Sequence, residues 1–111
     1  QSNGHIALAV NLARYNGFSW DVILGAEVVG TYKPAPASYT RACDALGLAP
    51  NECMMVAAHN ADLAAARKSG LQTAFICRPT EHGHTQAIDL APEDHWDFVV
   101  RDFHQLSAQL L

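Results

Sequence analysis

Two short apolar runs flank an alanine-rich segment, and this arrangement limits the fold of the chain more than any other feature. Residues 53–57 are continuously apolar, and residues 73–77 are apolar after Thr73, which is typical of strands buried on both faces of a sheet. Residues 60–70 between them predict a helix that Asn60 or Asp62 caps and Gly70 ends. A strand, a helix and a strand in this order favour a parallel pair with a right-handed crossover.

The N-terminal half of the chain predicts two further helices and one short strand. Apolar residues recur at helical spacing over residues 5–16, and Gly17 is placed to end that helix. The same spacing recurs over residues 36–46. Residues 21–24 form a strand candidate, and residues 31–36 form a loop because two prolines bias their predecessors away from helix.

The C-terminal part continues the alternation of strands and helices. Residues 78–94 are polar and predict a long surface loop, and residues 96–100 predict a short strand. Asp102 is placed to cap a final helix. The residues expected to face inward from this helix are Phe103, Leu106 and Leu110. The whole pattern predicts one α/β domain over residues 1–111, with a parallel sheet flanked by helices.

Charge and cysteine content exclude several classes of function. The formal charge of −4 leaves no electrostatic footprint for nucleic acid or for an anionic membrane. No apolar run approaches the roughly 18 residues that a membrane-spanning helix needs, and no leader segment is recognisable. The three cysteines are an odd number without CxxC spacing, which favours reduced thiols in a cytoplasmic protein.

Polar residues follow the first apolar run at the point where a strand would end. His59, Asn60 and Asp62 occupy this turn. Because ligands of open parallel sheets bind at the carboxyl ends of the strands, we expect a site at this edge. Asp62 fits two roles here, either as a helix N-cap or as a site residue, and His59 fits a rim residue or a chemical group.

Three segments carry a resemblance to a known family. They are SNG at residues 2–4, YKPAPASY at residues 32–39 and MMVAAHNADLAAARKSGL at residues 54–71. In this order they resemble the second, third and fourth motifs of the haloacid dehalogenase superfamily of hydrolases, and within it the 2-haloacid dehalogenases. The stretch WDVILGAEVVGTYKP is similar to the family's link into its lysine loop. The resemblance implies a Rossmann-like sheet and hydrolysis of a small 2-haloacid to a 2-hydroxyacid, as in (S)-2-haloacid dehalogenases.

The resemblance also implies roles for individual residues. Lys33 matches the cation that keeps the attacking carboxylate ionised and neutralises the substrate carboxylate. Ser2 and Asn3 match positions that bind substrate carboxylate or departing halide, although Ser2 also fits a plain N-cap. Tyr39 matches a supporting position, and a core tyrosine is the alternative. Asp62 matches the acid that orients the lysine and positions the hydrolytic water.

Two positions depart from the pattern that the resemblance implies. Ala57 and His59 stand where well-known haloacid dehalogenases tend to carry Ser and Asn. Without those Ser and Asn side chains, the chain lacks hydrogen bonds that would help to bind substrate. We expect His59 or Asn60 to bind substrate in their place.

No metal or cofactor is expected. The phosphatase branch of the family usually carries two acids at the fourth motif, whereas Asp62 stands alone, and a lone carboxylate is a poor Mg²⁺ site. The EHGH segment offers Glu81, His82 and His84 as transition-metal ligands on a loop, without an obvious further ligand. We therefore expect metal-independent chemistry.

The nucleophile of the family is absent from these residues. The resemblance implies an Asp-x-Asp or Asp-x-Tyr turn followed by Gly-Thr at the end of the first strand, and no such motif occurs in the chain. We expect a C-terminal portion of a dehalogenase that lacks the central first strand and the cap and is inactive alone. A homodimer or a missing N-terminal segment is expected to fill the gap. The alternatives are a non-catalytic dimerising module and a magnesium-dependent phosphatase.

Overall fold

The computed structural model describes all residues, Gln1–Leu111, and forms a small α/β fold. The elements in chain order are α1 (Ile6–Asn16), α2 (Ala26–Val29), α3 (Pro36–Leu46), a 3₁₀ turn (Pro50–Glu52), β1 (Met54–Ala57), α4 (Asn60–Lys68), β2 (Gln72–Ile76), β3 (Phe98–Val100) and α5 (Phe103–Leu110). The three strands form one parallel sheet in the order β1-β2-β3. The predicted α/β class with a parallel sheet flanked by helices is confirmed.

The central strand β2 carries the core of the sheet. Ala74 pairs with Val56 of β1 on one side and with Phe98 of β3 on the other. Both Ala74 and Phe75 are fully buried, as the continuous apolar run predicts. Full burial of a side chain the size of Phe75 stabilises the fold by about 1.5–3 kcal/mol.

The strand β1 differs from its prediction, because it is only half-buried along its whole length. It pairs with β2 alone, so its other edge has no strand partner. Three of its residues, Met54, Met55 and Val56, instead line an open and mainly apolar groove of about 870 Å³. Residues of α1, of the segment before α2 and of α3 form most of the rest of this groove.

Helix ends follow local chemistry closely. Gly17 and Gly47 end α1 and α3 with φ angles of 69° each, a left-handed conformation that glycine adopts without a Cβ clash. The Asp102 carboxylate accepts a hydrogen bond from the backbone N–H of Gln105 at 2.8 Å, which confirms the predicted cap of α5. None of the helices combines the length and the apolar character needed to cross a membrane.

Three local predictions were wrong. Residues 21–24 form no strand, because no neighbouring strand pairs with them, and the short helix α2 follows instead. The N-cap of α4 is His59, which moves Asn60 and Asp62 into the first helical turn. Only Leu106 of α5 is buried, whereas Phe103 and Leu110 are exposed, since α5 packs on the sheet with one narrow face.

Candidate functional site

Three side chains from separate elements meet above the start of α4. The Lys33 ammonium, in the loop before α3, donates to Asp62 Oδ2 at 2.5 Å. The Tyr39 hydroxyl, on α3, donates to Asp62 Oδ1 at 2.6 Å. The side chains of Lys33 and Asp62 are 20% and 13% exposed, so the pair is shielded from water on most sides. The three residues are called the lysine–carboxylate–tyrosine site below.

The electrostatics of this site fix its protonation pattern. Burial raises the pKa of the Tyr39 phenol above its ordinary range, and the hydrogen bond to the Asp62 carboxylate raises it further. Tyr39 therefore remains a donor at neutral pH. Both Asp62 oxygens are occupied, one by each neighbour, which holds the carboxylate in place. The Lys33 ammonium gives one of its three N–H groups to Asp62 and keeps capacity to bind an incoming anion.

The segment before α1 holds the lysine loop in position. The Asn3 side chain accepts a hydrogen bond from the Lys33 backbone N–H at 2.7 Å and donates to the Lys33 carbonyl at 3.2 Å. Ser2 Oγ accepts from the Gly4 backbone N–H at 3.0 Å, and Ser2 lines the apolar groove together with Tyr39. The structure therefore brings Asn3 to the lysine loop, where the backbone of Lys33 engages its amide, and places Ser2 in the groove that Tyr39 also lines.

Asn60 was expected to bind substrate, yet its side chain points into the protein and is 4% exposed. Its amide nitrogen donates to Asp89 Oδ1 and to the Ala91 carbonyl, each at 3.0 Å. Its oxygen accepts from the Glu93 backbone N–H at 2.9 Å and from the Trp96 indole N–H at 3.0 Å. Because every donor and acceptor of the side chain is used, Asn60 anchors the loop between β2 and β3 and has no free group for a ligand.

His59 lies at the N-cap of α4 and contacts the same long loop. Its Nε2 lies 2.7 Å from Glu81 Oε1, and His82 Nε2 lies 3.2 Å from that same oxygen. The hydrogen bond from His59 holds the pKa of the Glu81 carboxyl below its usual range, so Glu81 is ionised and accepts. Arg78 contacts the other Glu81 oxygen at 3.7 Å. Sequence reasoning missed the contact with His59, although Glu81 stood out in the EHGH segment.

The predicted residues thus divide into two groups. Lys33, Tyr39 and Asp62 form one connected hydrogen-bonded site, and Asn3 supports it through the backbone. His59 lies one helical turn before Asp62 but pairs with the loop after β2. A basic group beside a fixed carboxylate and a protonated phenol can hold a second carboxylate and stabilise its charge.

The chain is similar to known proteins in both sequence and structure. The profile of the family described as haloacid dehalogenase-like hydrolase matches residues 2–70. The (S)-2-haloacid dehalogenase 4A of Burkholderia cepacia is 39% identical over 75 residues, which cover 68% of this chain and 31% of that protein. The chain therefore spans about a third of the length of this curated relative.

Solved structures agree with the sequence matches. The L-2-haloacid dehalogenase PA0810 is 50% identical, superposes with a TM-score of 0.96 and covers 98% of this chain with 47% of its own. The defluorinating L-2-haloacid dehalogenase Rha0230 is also 50% identical, with a TM-score of 0.96 and coverage of 98% and 44%. These matches confirm the resemblance to 2-haloacid dehalogenases that the three sequence segments indicated.

Proposed function

Because the chain belongs to the haloacid dehalogenase-like hydrolase family, we propose that it forms the lysine-bearing part of a hydrolase that removes halide from 2-haloacids. The observation that carries this proposal is the hydrogen-bonded site of Lys33, Asp62 and Tyr39. Two relatives that are half identical to this chain carry the name L-2-haloacid dehalogenase, which supports the choice of substrate class. The chain covers less than half of each of them.

The proposed reaction needs a cation because two anions must meet. A carboxylate oxygen attacks C2 of the 2-haloacid, the carbon–halogen bond breaks, and halide leaves with the bonding electrons to give an ester. Water then attacks the ester carbonyl, which releases the 2-hydroxyacid and regenerates the carboxylate with loss of a proton. A positive charge about 4 Å from a carboxylate near the protein surface gains about 4 kcal/mol. Lys33 supplies that charge to the nucleophile and to the substrate carboxylate.

Asp62 and Tyr39 act on Lys33 in this proposal. The carboxylate directs the ammonium, and the phenol keeps the carboxylate oriented. Ser2 lines the groove beside Tyr39 and is proposed to bind the substrate carboxylate or the halide, with His59 at the rim. Asn3 is proposed to act indirectly, since its side chain holds the backbone of Lys33.

The attacking carboxylate has no candidate within the chain. No Asp-x-Asp or Asp-x-Tyr turn followed by Gly-Thr occurs in its 111 residues. We propose that the group comes from a segment outside these residues and that the chain by itself is inactive. The unpaired edge of β1 and the adjoining apolar groove of about 870 Å³ are the surface where such a segment would pair.

A non-catalytic dimerising module is the second candidate, and the same groove favours it. An open apolar surface of this size on a small domain is a typical protein-contact site. A magnesium-dependent phosphatase fits the residues less well. Asp62 is the single acid of the site and both of its oxygens are already hydrogen-bonded, which leaves no open carboxylate pair for Mg²⁺.

A chimaera separates these functions. In it, this chain replaces the matching 47% of the L-2-haloacid dehalogenase PA0810, which supplies the remaining segments. We expect the chimaera to release halide from 2-chloropropionate or 2-fluoropropionate, whereas the isolated chain releases none. Lys33→Met in the chimaera should slow release by roughly 10²–10³-fold, the usual effect of removing one charge-stabilising group. Lys68→Met, at an exposed lysine on α4, is the matched control.

Each outcome assigns a function. Halide release by the isolated chain contradicts the proposal that the nucleophile lies elsewhere. A folded chimaera without activity, together with a tight dimer of the isolated chain in light scattering, favours the dimerising module. Magnesium-dependent release of phosphate favours the phosphatase. A Lys33→Met chimaera as active as its parent contradicts the role given to Lys33.

A further inference from the structure

A second cluster of polar side chains lies outside the lysine–carboxylate–tyrosine site. The potential ligand atoms of His59, Glu81 and His82 all lie within 4.8 Å of one another. They come from two separate parts of the chain, since His59 precedes α4 and the other two lie on the loop between β2 and β3. Both imidazole Nε2 atoms face the same Glu81 oxygen, at 2.7 and 3.2 Å. The three residues are called the histidine–glutamate cluster below.

We propose that the histidine–glutamate cluster binds a divalent transition-metal ion of the Zn²⁺ or Ni²⁺ type. Two imidazoles and one carboxylate are ligands that such ions prefer over Mg²⁺ or Ca²⁺, which favour all-oxygen sites. The ion would bind the two Nε2 atoms that now face Glu81. Each Nε2 would first give up its proton, to solvent or by tautomerisation, so that a bound imidazole carries its single proton on Nδ1. The histidine side chains are 50% and 64% exposed, so water completes the coordination shell.

Sequence spacing alone suggested a different set of ligands. The EHGH segment offers Glu81, His82 and His84 as ligands, all from one loop. The sequence indicated no ligand from another part of the chain. The structure brings in His59 instead, which is 22 residues away from Glu81, and leaves His84 out of the cluster. With His59 the cluster has three protein ligands, which is the number that catalytic zinc sites commonly use.

The start of α4, which carries His59, is anchored without a metal ion to the far end of the loop that carries Glu81 and His82. Asn60, next to His59, makes four side-chain hydrogen bonds to the loop between Asp89 and Trp96. Ligand atoms of one ion lie about 3.3 Å apart when each metal–nitrogen bond is near 2.0–2.1 Å. Small rotations of the exposed His59, Glu81 and His82 side chains would therefore bring their ligand atoms to the distances that one ion needs.

The cluster shares His59 with the rim proposed for the dehalogenase site but uses none of Lys33, Tyr39 and Asp62. Asp62 is one turn along α4, but both of its oxygens bind Lys33 and Tyr39, so it is not a ligand of this cluster. The Arg78 guanidinium, 3.7 Å from Glu81 Oε2, is a competing cation that an ion must displace or tolerate. We therefore expect moderate affinity, with Zn²⁺ or Ni²⁺ held by three protein ligands.

The test is a calorimetric titration of the 111-residue chain with Zn²⁺ and with Ni²⁺ under reducing conditions. We expect one site, roughly tenfold or more weakened in His82→Ala and in Glu81→Gln, because each removes one of three ligands. His84→Ala is the matched control, two positions along the same loop, and should bind as the parent does. Zn²⁺ should also raise the Tm of the parent more than that of His82→Ala.

The contrary results are equally specific. No binding by the parent chain overturns the proposal. Binding that stays unchanged in both His82→Ala and Glu81→Gln also overturns it and places the ion elsewhere, for example on the free thiols. Circular dichroism of each variant checks its fold, and His59→Ala, which changes a half-exposed side chain, provides a third variant if one of the others unfolds.

Discussion

Lys33 and Asp62 lie 29 positions apart in sequence, and their side chains meet at 2.5 Å in a place where water has little access. The lysine lies in the loop before α3, and the aspartate lies in the first turn of α4. The packing of α3 against α4 through Tyr39, Cys43 and Ala66 brings the two together. The contact between Lys33 and Asp62 therefore depends on the packing of α3 against α4 and should contribute to stability as well as to the proposed chemistry.

Single substitution of either member should destabilise the chain. Lys33→Met or Asp62→Asn leaves one partly buried group without its partner, which costs about 1–3 kcal/mol. The double variant should lose less than the sum of the two, with a coupling of about 1–2 kcal/mol. Urea unfolding of the four proteins measures this coupling. Strictly additive losses would show that the contact contributes nothing to stability.

Tyr39 should contribute through its hydroxyl as well as its ring. Tyr39→Phe keeps the buried ring but removes the hydrogen bond to the Asp62 carboxylate, which should cost about 2 kcal/mol in the free energy of unfolding. Tyr32→Phe is the matched control, since that side chain is 58% exposed and should change stability little. Equal stabilities of the two variants in urea titrations would contradict the role of the Tyr39 hydroxyl.

Asn60 should be needed to hold the loop between β2 and β3. Asn60→Ala leaves the buried Trp96 indole N–H without its acceptor, and we expect a loss of about 2 kcal/mol. Backbone amides of residues 78–95 should exchange hydrogen faster in this variant, because the loop loses its anchor. Hydrogen exchange followed by mass spectrometry measures the change. Asn11→Ala, on the exposed face of α1, should leave the loop protected, and equal protection in both variants would contradict the anchor.

Asp97 should make stability depend on pH in the acid range. Hydrogen bonds from the Thr73 backbone N–H, at 2.8 Å, and from its hydroxyl lower the pKa of the Asp97 carboxyl. The resulting stabilisation is fully present above the ordinary Asp pKa of about 3.9 and disappears as pH falls through the lower folded value.

The matching variant is Asp97→Asn, which carries no charge at any pH. The parent should be the more stable of the two at pH 7, and the difference should shrink below about pH 4. Thermal unfolding between pH 7 and pH 2 measures it, with Asp21→Asn as the exposed control. A difference that stays constant down to pH 2 would show that ionised Asp97 does not stabilise the fold.

Local patterns in the sequence predicted the elements where short-range chemistry decides the structure. The helix over residues 36–46 has the bounds that Gly47 and the apolar spacing indicated, and Asp102 caps α5 as expected. The resemblance to haloacid dehalogenases is confirmed by the matches of sequence and structure. Lys33, Tyr39 and Asp62, which that resemblance singled out, lie in hydrogen-bonding contact.

The structure departs from the sequence pattern where the outcome depends on a partner far away in the chain. Residues 21–24 have the composition of a strand, but a strand exists only where a neighbour pairs with it. Asn60 looked like a ligand at a sheet edge, and the loop from Asp89 to Trp96 uses its whole hydrogen-bonding capacity. Neither result can be read from nearby residues, because the deciding contacts form only when distant segments pack.

The sequence by itself determined the alternation of strands and helices from residue 53 onward, the ends of several helices and the family, since these depend on spacing, capping residues and short motifs. Only the tertiary structure decided that β1 lies at an open edge, that Asn60 points inward and that His59 joins Glu81 and His82. The physical reason is that such contacts join residues more than 20 positions apart. Their geometry is set by the packing of whole elements, whereas local propensity acts within a few residues of the chain.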